Sequence, residues 1–134
     1  MKYEEIKEHH ESGQLSFHYF EDENGDECGE YRSYYEDGKL HWHNFYRRDR
    51  EYGGIMMFDD DGTLCHYYLM DGKGKEIATV VASGKRSTHS EEQLIEIAKE
   101  HGLPLLSDLP KTDAELTHWN LKYPDLPCLP IESE

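Results

Sequence analysis

The first half of the chain carries one short pattern three times: Glu11-Ser12-Gly13-Gln14-Leu15, Glu36-Asp37-Gly38-Lys39-Leu40 and Asp60-Asp61-Gly62-Thr63-Leu64. The glycines fall at positions 13, 38 and 62. An acidic-Gly turn followed by Leu and then aromatics at alternate positions is a β-hairpin signal. Repetition at a period of this length implies stacked hairpins, each covering the next, in place of a compact enzyme core. That favours a binding role over catalysis.

The units align residue by residue. Leu15-Ser16-Phe17-His18-Tyr19-Phe20, Leu40-His41-Trp42-His43-Asn44-Phe45 and Leu64-Cys65-His66-Tyr67-Tyr68-Leu69 follow the turns. The strands before the turns run over 6–10, 31–35 and 55–59, with Gly29 and Gly53-Gly54 opening the second and third units. Side chains alternate across a strand, so Leu15, Phe17 and Tyr19 share a face, as do Leu40 and Trp42, and Leu64, His66 and Tyr68. Aromatics suit such a ladder because each buries a large area.

The run from Gly29 to Leu40, with Tyr34-Tyr35 and Gly38-Lys39-Leu40, resembles the MORN-variant repeat. Its core is a Gly, a few residues, then Tyr-Tyr-x-x-Gly-Lys-Leu. The likeness covers about residues 4–82 and weakens in the third unit, where Met57-Phe58 stands for the Tyr pair. It implies a curved sheet of successive antiparallel hairpins. Proteins similar to this one include the YwqK-type antitoxin group of bacteria and phages. The family has no shared catalytic residues to carry over.

The second half changes character after Val81. Residues 77–82 lack alternation and read as a buried closing strand, reached through a turn at Asp71-Gly72-Lys73-Gly74. Gly84-Lys85-Arg86-Ser87 reads as a linker. Ser90-Glu91-Glu92-Gln93 is a capping box that opens a helix, which Gly102 ends. Thr112 and Glu115 form another such box for a helix over 113–122. The run Tyr123 to Pro130 is expected to be extended, because proline fixes φ and removes amide donors. Leu126, Leu129 and Ile131, spaced by prolines, suit docking as an extended peptide. The expected fold is therefore mainly β with a C-terminal α part: about three hairpins over 1–84, then a helical cap and Pro-rich tail over 85–134. The cap would shield the open end of the repeat sheet.

Charge is the next constraint. The net charge is −15. Residues 1–30 hold 2 basic and 10 acidic residues, and residues 87–134 hold 3 and 10. Such a surface repels nucleic acid and anionic membrane and attracts a basic protein. No apolar run is long enough to span a bilayer, and the start of the chain lacks a signal-peptide pattern. The 3 cysteines, Cys28, Cys65 and Cys128, are widely spaced. A reducing cytoplasm is expected.

Candidate chemistry is sparse. His18, His41, His43 and Cys65 would cluster if the units stack in register, and these are zinc-type ligands. Tight ligand pairs are otherwise missing, so no metal or other cofactor is expected. The acidic runs 21–27 and 59–62 do not fit a calcium loop and read as hairpin turns. No nucleophile elbow, phosphate loop or zinc-protease motif occurs, and an enzyme is not expected.

The expected function is that of a non-catalytic acidic module that neutralises a partner protein, as an antitoxin, an immunity protein or a phage inhibitor of a host factor. An acidic surface of this kind can occupy a nucleic-acid-binding groove in place of phosphates. The candidate partner surface comprises Tyr34, Trp42, His43, Phe45 and Tyr67, with Asp22 and Glu23 on the acidic hairpin tip. The alternatives are a metal-dependent or catalytic protein centred on the His/Cys set, and a structural repeat module of a larger assembly.

Overall fold

A computed structural model describes residues 3–82 and 89–128. Seven strands follow in chain order: β1 (Glu4–His9), β2 (Leu15–Glu21), β3 (Gly29–Tyr34), β4 (Leu40–Arg47), β5 (Arg50–Phe58), β6 (Leu64–Asp71) and β7 (Glu76–Ala82). They form one sheet in the order β1 to β7, every neighbour antiparallel. Helices α1 (Glu91–His101) and α2 (Asp113–Lys122) follow, with a 3-10 turn over Leu106–Asp108 between them. The boundary expected at 84/85 and the linker 84–87 lie outside the described residues.

The repeat pattern builds one turn again and again. At the lower edge, the amides of His10, Tyr35 and Asp59 donate to the carbonyls of Gln14, Lys39 and Thr63, at 2.8, 2.9 and 2.8 Å. Gly13, Gly38 and Gly62 then sit at φ 94°, 91° and 88°, a region that glycine enters without a Cβ clash. Register shifts occur at Glu8/His9, Ser33/Tyr34 and Met57/Phe58, the same place in each unit. At the upper edge, Asp22 and Asp71 make the same amide-to-carbonyl bond, to Asp26 and Lys75. Their carboxylates also accept backbone amides, as Asp and Asn do in tight turns. The turn between β4 and β5 differs, because Arg48 and Asp49 adopt φ 51° and 66° with no glycine to announce it. Asp49 is held there by exchange with Glu27: its amide donates to the Glu27 carbonyl at 3.0 Å and its carboxylate accepts the Glu27 amide at 2.6 Å.

The helical part packs on one side of β4 to β7. Tyr67, Leu69 and Ala78 bury against Leu94, Ala98, Leu103 and Leu105. Phe45 buries against Leu106, Trp119, Tyr123 and Leu126, with its ring centroid 5.8 Å from that of Trp119. Each large side chain removed from water in this layer contributes about 2 kcal/mol. Helix α1 begins and ends as its sequence specifies, with the Ser90/Gln93 capping box complete and Gly102 at φ 67°. For α2 the box is half made. Thr112 accepts the Glu115 amide, but the Glu115 carboxylate accepts the Lys111 amide.

Two expectations are corrected. Strand β7 is an edge strand, and although Ala78 is buried, Ile77, Thr79, Val80 and Val81 stay half-buried. His89 closes its edge at Thr79, donating its amide to the Thr79 carbonyl at 3.0 Å and accepting the Thr79 amide at Nδ1 at 3.3 Å. The chain after α2 turns instead of extending: the Leu126 amide bonds the Tyr123 carbonyl at 3.1 Å. Leu126 is thereby buried in the chain's own core and is not presented to a partner, while Leu129 and Ile131 lie outside the described residues.

Glycine lets this second half approach the sheet. Between the pairs His43–Met56 and Phe45–Tyr52, β4 places Asn44 opposite Gly53, Gly54 and Ile55 of β5. The bulge turns the Gly54 amide toward the Pro104 carbonyl, at 2.9 Å. Gly53 has φ 80°, and a Cβ there would lie 2.3 Å from that carbonyl oxygen. Gly29 has φ 80° as well, with Pro127 filling the place of its missing side chain. The glycines that open the second and third units thus receive the two prolines. Gly53→Ala is expected to destabilise the protein by about 2–4 kcal/mol in urea unfolding, through both backbone strain and the clash. Gly62→Ala, with nothing within 4 Å, is expected to lose about 1 kcal/mol, from the left-handed φ alone.

Candidate binding face

Paired residues of an antiparallel sheet share a face. One row runs Lys7, His18, Arg32, His43, Met56 and Tyr67. This face lies under the helices at its β4–β7 end. The opposite row runs Phe17, Ser33, Trp42, Met57 and His66. Tyr31, Tyr46, Glu51 and Tyr68 lie on this second side, and no described helix packs there.

Aromatic rings form a stripe across the open face. The Phe17 and Tyr19 centroids lie 6.1 and 5.4 Å from that of Tyr31, which meets the Tyr46 ring edge-on at 5.3 Å. Each ring is half-buried by its neighbours. Asn44 and Ile55, paired with Tyr31 and Tyr68, are 0% exposed on this side. A groove of about 580 Å³ runs beside β4, lined among others by Phe17, Tyr31, His41, Trp42, Tyr46 and Glu51.

The stripe sits in a negative field. Burial raises the Tyr19 and Tyr31 hydroxyls above their ordinary range, and nearby carboxylates add to it: Glu8, Glu21 and Glu27 at Tyr19, Glu27 and Glu8 at Tyr31. Burial also raises the Glu51 carboxyl, against the hydrogen bond it accepts from the Tyr68 hydroxyl at 3.3 Å. No ion pair joins Glu51 to a described lysine, arginine or histidine.

The residues expected to form one partner surface divide between the two faces. Tyr34 and Trp42 line the open groove. His43, Phe45 and Tyr67 are 8%, 1% and 3% exposed on the other face, so they are not available to a partner there. The reason is the period of a strand: Trp42 and His43 are neighbours and must point to opposite sides. At the hairpin tip, Asp22 spends its Oδ1 on the amides of Asn24 and Asp26, at 2.9 and 3.0 Å, while Glu23 is exposed.

The His/Cys cluster does not assemble; among the described residues no group of His, Cys, Asp and Glu side chains is placed to hold a metal ion. His43 bonds the buried Glu30 carboxylate at 2.5 Å, and Glu30 also takes Arg32 at 2.6 Å. The His18 Nε2 lies 3.6 Å from Glu5, and burial holds this imidazole below its usual range. His41 packs on Tyr35, with ring centroids 4.6 Å apart, and Cys65 donates to the Met57 carbonyl. The bulges at Ser33/Tyr34 and Met57/Phe58 break the alternation that would have aligned His41 and Cys65 with the others.

Phe17, Tyr19, Tyr31, Tyr46, Tyr68 and Glu51 were not singled out for binding by the sequence. Alternation did place several of them on one ladder, but it carried no sign that the helices would cover the other side. No family model, curated protein or solved structure matches the chain. No described helix is long and apolar enough to cross a membrane.

Glu51 yields a pH prediction. A carboxyl whose folded pKa is raised binds more protons folded than unfolded, so its ionisation lowers stability as pH rises through the unfolded value. Glu51→Gln is expected to raise the melting temperature at pH 7, and the gain should disappear below about pH 4, where both states are protonated. Thermal unfolding of both proteins across that range checks it.

Proposed function

We propose that this chain is a non-catalytic acidic binding module that neutralises a basic partner protein in a bacterial or phage conflict system, in the manner of an antitoxin, an immunity protein or a phage inhibitor. The observation that carries the reading is the division of the sheet. The β4–β7 end of one face is occupied by the chain's own helices, and the other face leaves an aromatic stripe open within a field of carboxylates. Tyrosine and tryptophan supply large contact area at low entropy loss, and complementary charge speeds encounter with a basic surface. The net charge of −15 suits occupying the anion-binding groove of such a partner. The likeness to MORN-variant repeats points the same way. We place the module in the cytoplasm.

The thiols support a role without covalent chemistry. Burial pushes Cys28 and Cys128 up to about 12, helped at Cys28 by Asp22 and Asp26. Thiols held that high are poor nucleophiles. Both are expected to alkylate at pH 8 more than about a hundredfold more slowly in the native protein than after unfolding. Mass-spectrometric mapping of iodoacetamide adducts checks this, and fast native labelling of either would reopen the enzymatic reading.

The binding reading is tested by immobilising the protein and passing nuclease-treated bacterial lysate at low and high salt. A basic protein held at low salt and released at high salt is the expected result. Its loss from a Glu8→Gln, Glu21→Gln, Glu27→Gln variant would tie it to the open face. Equal retention by that variant would remove the face from the interaction.

A further inference from the structure

The groove beside β4 ends in Glu51, a carboxylate that forms no ion pair with a described lysine, arginine or histidine. Glu51 is half-buried among aromatic rings, facing Tyr46 across the β4–β5 ladder and bonded to the neutral hydroxyl of Tyr68. A carboxylate taken partly out of water is unfavourable without an ionic partner. Among the described cations, Arg32 pairs with Glu30, Lys39 with Asp37 and Arg47 with Asp125, and none pairs with Glu51. Beside the same carboxylate, Tyr31 and Tyr46 meet edge-on at 5.3 Å, and the groove continues along the strand to Trp42 and His41.

We propose that this groove is a guanidinium site, which takes an arginine side chain from an extended basic segment of the partner protein. Three features select that chemistry. Ring faces attract a cation through their quadrupole. Glu51 offers two oxygens to a planar fork of N–H donors, and guanidinium gives up hydration more readily than an ammonium. The negative field from Glu8, Glu21 and Glu27 draws a positively charged segment toward this face. The groove volume of about 580 Å³ has room for more than one side chain, so neighbouring residues of the segment reach the Trp42 end. The proposal rests on the basic-partner reading above and names the group that reading would seat.

The probe is a short Gly/Ser peptide carrying three arginines, compared with the same peptide carrying citrulline or lysine. Binding is followed by calorimetry and by NMR shifts of the assigned protein. The arginine peptide is expected to perturb Tyr31, Trp42, Tyr46 and Glu51, and to bind at least about tenfold more tightly than the neutral citrulline peptide. Glu51→Gln, which retains shape, is expected to weaken the arginine peptide by about the same factor. Tyr31→Leu keeps the groove wall apolar and removes a ring face, giving a second variant should the first disturb the fold. Lysine binding as tight as arginine would overturn the guanidinium assignment. Shifts confined to the turn at 22–26, or unchanged affinity in both variants, would overturn the groove and leave the acidic module standing. Failure of every cationic peptide to bind at low salt would remove both.

Discussion

The register of the hairpins rests on a turn in which one amide bonds the carbonyl four residues on, made at His10, Asp22, Tyr35, Asp59 and Asp71. The three lower turns set a bulge at the same place in each unit. Register in a sheet decides which side chains meet, because a slip of one residue exchanges the two faces. Here that exchange would put Phe45, Tyr67 and Leu69 toward the tyrosine stripe and leave α1 and α2 facing the other row. The helical layer, the open aromatic face and the groove all follow from that one repeated backbone bond.

Docking of the second half uses places where the repeat has no side chain. Gly29 and Gly53 open their units, and Pro127 and Pro104 occupy the space a Cβ would need. The Gly54 amide, released from the β4 ladder by the bulge, goes to Pro104. Buried backbone donors must find acceptors, so the bulge and the incoming loop depend on each other. On the face that carries the helices, Glu30 Oε1 takes both Arg32 and His43, while its buried Oε2 has no hydrogen-bond partner. On the remaining face Glu51 accepts the Tyr68 hydroxyl and has no ion pair among the described residues.

Much of the fold was legible because local rules carried it. Acidic-Gly turns, the Ser90/Gln93 box and Gly102 each fix a few residues of backbone through short-range bonds, and each appears where the sequence places it. The turn at Arg48 and Asp49 was not legible, since its partner, Glu27, lies far away in sequence. The tail after α2 turns where its prolines suggested extension, because Leu126 packs in the cluster of Phe45, a residue far away in sequence. The candidate surface was half legible: alternation separates Trp42 from His43, but identity alone made both attractive contacts.

By itself the sequence determined the hairpin repeat, the caps of α1 and the acidity of the surface, because turns, caps and charge depend on residue type and close spacing. The tertiary structure decided which sheet face the helices cover. That choice depends on Gly29, Gly53 and Gly54 meeting Pro127 and Pro104, contacts between residues far apart in the chain. It buries Phe45 and Tyr67 and leaves Tyr31, Trp42, Tyr46 and Glu51 on the uncovered face, because the cap removed one apolar row from water and not the other.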